Sequence, residues 1–313
     1  DDLLVSVAAE PQGDDRRGAK VSRGRADRVG ALAWRLSELH PRRFFLETWR
    51  AIDEEAARER AAHPGYDPRP LFAFVLGGVC LTLMQYFGSS YDLVRLIGLM
   101  RGDGSGPLAS LADRLVDSQF YPLFKQGYWA LWRVLGYFVV PALAVKLVFR
   151  ERLRDHGLNT RGFFEHLWIY IICFCLVLVL VVAVSFIDEF TDCYPFYDDA
   201  ARSWVDLLTW EAFYAAQFFA LEFFFRGFWL STCKRAMGSY GIVAMLVPYC
   251  MIHFGKPWQE TLAAIVAGIV LGTLALKTRS IWSGFLIHVS VAFSMDLAAI
   301  LQKGPLPAGW WPE

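Results

Sequence analysis

The stretch LWIYIICFCLVLVLVVAVSFI, residues 167–187, decides the fold class. It carries no charged residue between Glu165 and Asp188. At about 1.5 Å per helical residue it reaches about 30 Å, the thickness of a bilayer's hydrocarbon core. Shorter or more interrupted apolar runs lie at 71–87, 127–149, 207–230, 241–254, 261–276 and 281–301. With the first run they make seven expected spans. In lipid each backbone group must be satisfied within its own segment, so the expected fold is an all-α polytopic transmembrane bundle.

Composition agrees. Of 313 residues, 55% are hydrophobic and 20% charged, more apolar and less charged than soluble domains usually are. Lys+Arg 31 balances Asp+Glu 31, a zero net charge that leaves no overall attraction for nucleic acid. Cys80, Cys173, Cys175, Cys193, Cys233 and Cys250 fall mostly inside apolar runs and read as small buried side chains, not as a disulfide framework. The chain starts at Asp1 without a basic-then-apolar leader, so a trimmed or processed end is expected there.

The loops alternate in charge. Lys146, Arg150, Arg152, Arg154 and Arg161 precede the 167–187 run, Lys234 and Arg235 follow 207–230, and Lys277 and Arg279 follow 261–276. Asp188, Glu189, Asp192, Asp198 and Asp199 crowd the loop on the other side, against Arg202 alone. The positive-inside rule then places the N-terminus in the cytoplasm and the C-terminus outside. Trp168, Trp229 and Trp282 sit near one set of ends and Trp204, Trp210, Trp258, Trp310 and Trp311 near the other, as aromatic belts do.

Four segments are expected: a polar, flexible tail over 1–30; a cytoplasmic or interfacial helical segment over 31–69; the transmembrane domain over 70–302; and a C-terminal tail over 303–313. Within the second, Phe45, Trp49 and Ile52 recur at helical spacing over 44–62, which suits a helix lying against the membrane or the protein.

The chemistry lies in the few ionisable residues that the apolar runs retain. Glu222 and Arg226 are four residues apart and share a helical face, His253 closes the 241–254 run, and His288 and Asp296 lie two turns apart in the last. Glu222 is roughly 12 Å from the basic end of its run, His253 roughly 18 Å and His288 roughly 10 Å from theirs, so the three can meet. A carboxylate and two imidazoles within a membrane suit water activation, and the same set can instead hold a metal such as zinc. Among the other polar positions, Lys256 and Glu260 read as an interfacial pair, Glu211 as interfacial, and Gly268 with Gly272 as a close-packing face within the domain.

Over about 207–301 the sequence resembles the CAAX prenyl-protease-like and bacteriocin-processing intramembrane peptidases, the CPBP or Abi family. The patterns EExxxR, FxxxH and HxxxN of that family stand here as LEFFFR at 221–226, YCMIH at 249–253 and HVSVA at 288–292; LRDHGL at 153–158 is similar to a further segment. The resemblance implies an intramembrane endopeptidase that needs no metal, with Glu222 and His253 activating water, His288 stabilising the oxyanion, and Arg226, Tyr249 and Asp296 supporting the site. Leu221 and Ala292 replace the first glutamate and the asparagine, which keeps an inactive scaffold of the same fold as the alternative. A transporter has less support, since paired broken helices are not evident. The implied partners are the bilayer and a peptide or membrane-protein substrate, lipidated or not, and the implied location is a bacterial inner membrane.

Overall fold

A computed structural model describes residues 37, 39–160, 163–164 and 166–312. The expected tail over 1–30, Arg161 and Glu165 lie outside the described residues. The chain divides into two units, 1–47 and 48–313. In the first, Arg42–Glu47 forms a π-helical turn in which Phe44 is buried, and Arg43 donates to Ser37 Oγ at 2.6 Å. The second holds everything that follows.

The described residues are helical throughout, without a strand. In chain order they form α1 (Thr48–Ala62), α2 (Arg69–Phe87), α3 (Ser90–Arg101), α4 (Pro107–Val116), α5 (Tyr121–Phe149), α6 (Leu167–Val184), α7 (Asp188–Cys193), α8 (Trp204–Glu222), α9 (Ser231–Met237), α10 (Tyr240–Met251), α11 (Trp258–Thr278) and α12 (Trp282–Lys303). Turn chemistry explains the sharpest boundaries. Ser89 and Asp92 form a reciprocal capping box on α3, and Ser203 caps α8 by accepting from Asp206 N. The hydrogen bonds from Ser89 hold the partly exposed Asp92 carboxyl below the usual range.

Among the described residues five helices, α2, α5, α6, α11 and α12, are long and apolar enough to cross a membrane. The sequence suggested seven spans, and the two that differ are those at 207–230 and 241–254. The first is one continuous helical path, α8 and α9 joined by a π-helical segment (Phe223–Leu230) whose eight residues are all buried in protein. The second is only the 12 residues of α10, about 18 Å long, with Pro248 inside it. The chain turns over 252–257 before α11 begins. The apolarity of these two segments serves the protein interior as well as the bilayer.

The π-helical segment is the hub of the bundle, packed by α2, α5, α10 and α11. Its neighbours include Tyr137, Met84, Met245 and Tyr249, and Gly77 lies so close to Trp229 that a Cβ there would overlap the indole. The LRDHGL segment docks on it. His156 is buried, with Nδ1 3.1 Å from Gly227 O and Nε2 2.8 Å from Glu151, and Gly157 O accepts from Ile281 N. Gly157 holds φ +86, and a Cβ there would strike Ile281.

Loop charges separate to opposite ends. At the basic end α1 is fastened to the bundle: Glu55 pairs with Lys234 and Arg279, Asp53 accepts from Ser239 N and Oγ, and Trp49 Nε1 donates to Thr273 Oγ1 at 2.9 Å. The apolar face of α1 therefore meets protein, through Ile52 and Ala56. Burial would raise the Glu55 carboxyl, but the lysine and arginine outweigh it and lower it. At the acidic end Trp204 N and Val205 N donate to the carbonyls of Gly309 and Trp310, so the C-terminal residues lie beside the start of α8.

Candidate active site

α8 and α12 run antiparallel in a register that repeats every four residues. Trp210 Nε1 donates to Asp296 Oδ2 at 2.6 Å, Phe218 stacks on His288 with centroids 5.4 Å apart, and the Glu222 carboxylate lies against Gly284. The first step moves about two helical turns along both helices and the second about one. Gly284 is required here, since a Cβ at that position would collide with Glu222 Oε2.

Four of the residues singled out from sequence converge. Glu222 Oε1 lies 3.0 Å from Arg226 Nη1 and 2.7 Å from His288 Nδ1, both ion-pair distances. Neither contact has the alignment of a hydrogen bond, and Glu222 Oε2 and the remaining guanidinium nitrogens find no hydrogen-bond partner among the described residues. Tyr249 completes the group: its hydroxyl is 3.0 Å from His288 Nε2, and the Arg226 guanidinium sits 4.2 Å from its ring centroid. Glu222, Arg226 and Tyr249 are closed to solvent, while the His288 side chain is 16% exposed.

His253 stands beyond the end of α10, its ring 4.9 Å from that of Tyr249. Its Nδ1 is 2.8 Å from the Tyr249 carbonyl, and Thr261 Oγ1 donates to its own carbonyl. A carbonyl only accepts, so Nδ1 carries the proton and Nε2 keeps its lone pair. That nitrogen has no hydrogen-bond partner among the described residues, and the residue is partly exposed. Both imidazoles thus flank one tyrosine.

Asp296 is buried and bound by Trp210, with Oδ1 unpartnered among the described residues. It is two turns from His288 along α12, as the spacing suggested, but its partner belongs to α8. Glu211 was expected at the interface, yet it is half-buried with an orphaned Oε2, because the first turns of α8 are covered by other protein segments. Lys256 and Glu260 do pair, and Tyr194 adds a 2.6 Å bond to Glu260 Oε2. Gly268 and Gly272 face α10, against Leu246 and Ile242, and Gly268 is what lets Tyr249 come close.

Tyr249 was named from sequence as supporting the site, but the reach of its hydroxyl to His288 was not. Gln217 is buried with an orphaned Oε1, a polar residue in the 207–230 run that its apolar neighbours made easy to pass over. The two positions that depart from the family pattern are filled by packing. Leu221 belongs to the core around the π-helical segment, and Ala292 to the one containing Tyr214 and Trp210.

The alternative metal set, Glu222 with His253 and His288, was tested against this geometry. Among the described residues no group of three or more histidine, cysteine, aspartate or glutamate side chains is arranged to hold a metal ion. The Glu222 carboxylate is instead engaged by a guanidinium and an imidazole.

Comparison with known proteins gives one finding. A family model described as Rce1-like, type II CAAX prenyl endopeptidase Rce1-like, matches residues 203–294. No curated protein and no solved structure gives a match. The matched segment runs from the cap of α8 to the middle of α12 and contains all of Glu222, Arg226, Tyr249, His253 and His288, but not Asp296. Over that segment this integral membrane protein is similar to the Rce1-like, type II CAAX prenyl endopeptidase family.

Proposed function

We propose that the chain is an intramembrane endopeptidase of the CAAX type, hydrolysing a peptide bond with water activated inside the bundle. One observation carries the reading: a buried glutamate, an arginine and His288 meet within the family-matched segment, joined through Tyr249 to a partly exposed His253 whose Nε2 has no hydrogen-bond partner among the described residues. His253 Nε2 supports the base role, taking the proton from water and returning it to the leaving amine. Glu222 supports His288: its carboxylate, balanced by Arg226, faces Nδ1 and favours a proton there. His288, partly open, faces the developing oxyanion, donating from Nε2 in a doubly protonated form whose charge the Glu222 carboxylate balances. In this assignment Glu222 acts through His288 and does not itself meet the water. The substrate is a peptide or membrane-protein segment reaching the site from the bilayer or the basic end, and a bacterial inner membrane is the proposed location.

The test is cleavage by the reconstituted full-length protein of CAAX-ended peptides, with and without a prenyl group. The reading expects Glu222→Ala, His253→Ala and His288→Ala to abolish cleavage; full activity in all three variants removes the site assignment.

A second reading, an inactive scaffold that binds a partner's transmembrane segment, is favoured by the apolar packing of Leu221 and Ala292. A partner that co-purifies equally with wild type and Glu222→Ala, and is never cut, supports it.

A further inference from the structure

Among the described residues, Tyr249 makes polar contact with both imidazoles of the site. Its carbonyl takes the Nδ1 proton of His253, and its hydroxyl lies 3.0 Å from Nε2 of His288. We infer that the Tyr249 hydroxyl is a positioning group, holding resting His288 in the tautomer with the proton on Nδ1 and the lone pair on Nε2, ready to take up the proton it then offers the oxyanion.

The ring and the hydroxyl do separate jobs. The ring is packed by Phe225 edge-to-face, by Arg226 across its face and by Gly268, contacts that phenylalanine would reproduce. The hydroxyl adds one polar atom to a residue that is 1% exposed, and a buried phenol needs a partner. Its hydrogen-bond partner is His288 Nε2, with the Arg226 guanidinium also near the phenol. On the other side of that ring the Glu222 oxygen, beside a guanidinium, is 2.7 Å from Nδ1. Two lone pairs at that distance repel, so Nδ1 bears the proton and Nε2 accepts from the phenol. Phe218, stacked on the imidazole, holds its plane. Carboxylate, imidazole and hydroxyl thus form one oriented chain, and the same tyrosine gives both histidines the same tautomer.

In its catalytic consequence the inference rests on the peptidase reading; its direct test does not. The full-length protein is labelled with ¹⁵N-histidine in nanodiscs, and the His288 signals among six histidines are identified by their loss in His288→Gln. Wild type is expected to show a protonated Nδ1 and an unprotonated Nε2 at His288. Tyr249→Phe is expected to shift His288 to mixed or doubly protonated forms, leaving His253, held by a backbone carbonyl, unchanged. Cleavage is expected to fall about tenfold in kcat with KM within about twofold. Unchanged His288 signals in Tyr249→Phe overturn the inference. Absence of cleavage by wild type would instead remove the peptidase reading, and the tautomer result would still decide the role of the hydroxyl.

Discussion

The helical path from Trp204 to Met237 is entered and occupied by two arginine–carboxylate pairs at the same i,i+4 spacing, with opposite characters. At the acidic end Asp206 is saturated. Arg202 binds it with two nitrogens at 2.8 and 3.0 Å, Ser203 Oγ donates at 2.7 Å and Tyr197 Oη at 2.8 Å. Further along, Glu222 and Arg226 are both fully buried, unlike the part-exposed Arg202, and unaligned, with the second carboxylate oxygen unpartnered among the described residues and the first close to His288. Identical chemistry therefore serves two purposes. A saturated pair closes a helix end, whereas a buried charge left short of hydrogen bonds is costly and is retained where the charge itself is used.

Removing one charge from each pair separates the two roles. Glu222→Gln leaves Arg226 buried beside a neutral amide, and is expected to lower cleavage by more than about 10³-fold as well as destabilise the fold by about 3–5 kcal/mol. Both are read from cleavage rates and denaturation of the same preparation. Asp206→Ala should match it in stability, losing about 3 kcal/mol, while cleavage per folded molecule stays at the wild-type level. A large loss of specific activity in Asp206→Ala would erase the distinction.

Gly284→Ala probes the contact that seats the Glu222 carboxylate. The added methyl is expected to cost about 1–3 kcal/mol in stability and about tenfold in cleavage, because Glu222 must move away from His288. A wild-type rate would show that this seat is dispensable.

Acid gives the mildest test. Burial would raise the Asp206 carboxyl, but its hydrogen bonds from Arg202, Ser203 and Tyr197 outweigh that and hold it below the usual range. A carboxyl lowered in the folded state contributes fully above its unfolded value, and the contribution fades as pH falls through the folded one. The stability gap between wild type and Asp206→Asn should therefore be constant near neutrality and narrow below about pH 4. A gap that persists unchanged at lower pH would deny Asp206 its role.

Most of the bundle was legible because apolar length is a direct signal. The run at 167–187 became α6 and those at 71–87, 127–149, 261–276 and 281–301 became α2, α5, α11 and α12. The two segments that carry the polar motifs were the hardest to read as spans. Hydropathy does not distinguish a residue facing lipid from one facing protein, so it did not show that the π-helical segment is buried in protein or that α10 is only 12 residues long. At the site, i,i+4 spacing revealed Glu222 with Arg226, and helical depth brought His288 near them. Tyr249 was named as a supporting residue, but its contact with His288 was not legible, because it depends on Gly268 in another helix allowing α10 to approach.

The central claim is that a water is activated at His253 within this membrane bundle. The most direct measurement is hydrolysis of a CAAX-ended peptide by full-length protein in liposomes, wild type against His253→Ala at matched folded fraction. The account predicts cleavage by wild type and a loss of about 10²–10⁴-fold in the variant, the contribution of a positioned general base. Equal rates in the two proteins, or no cleavage by wild type across prenylated and unprenylated peptides, would contradict it.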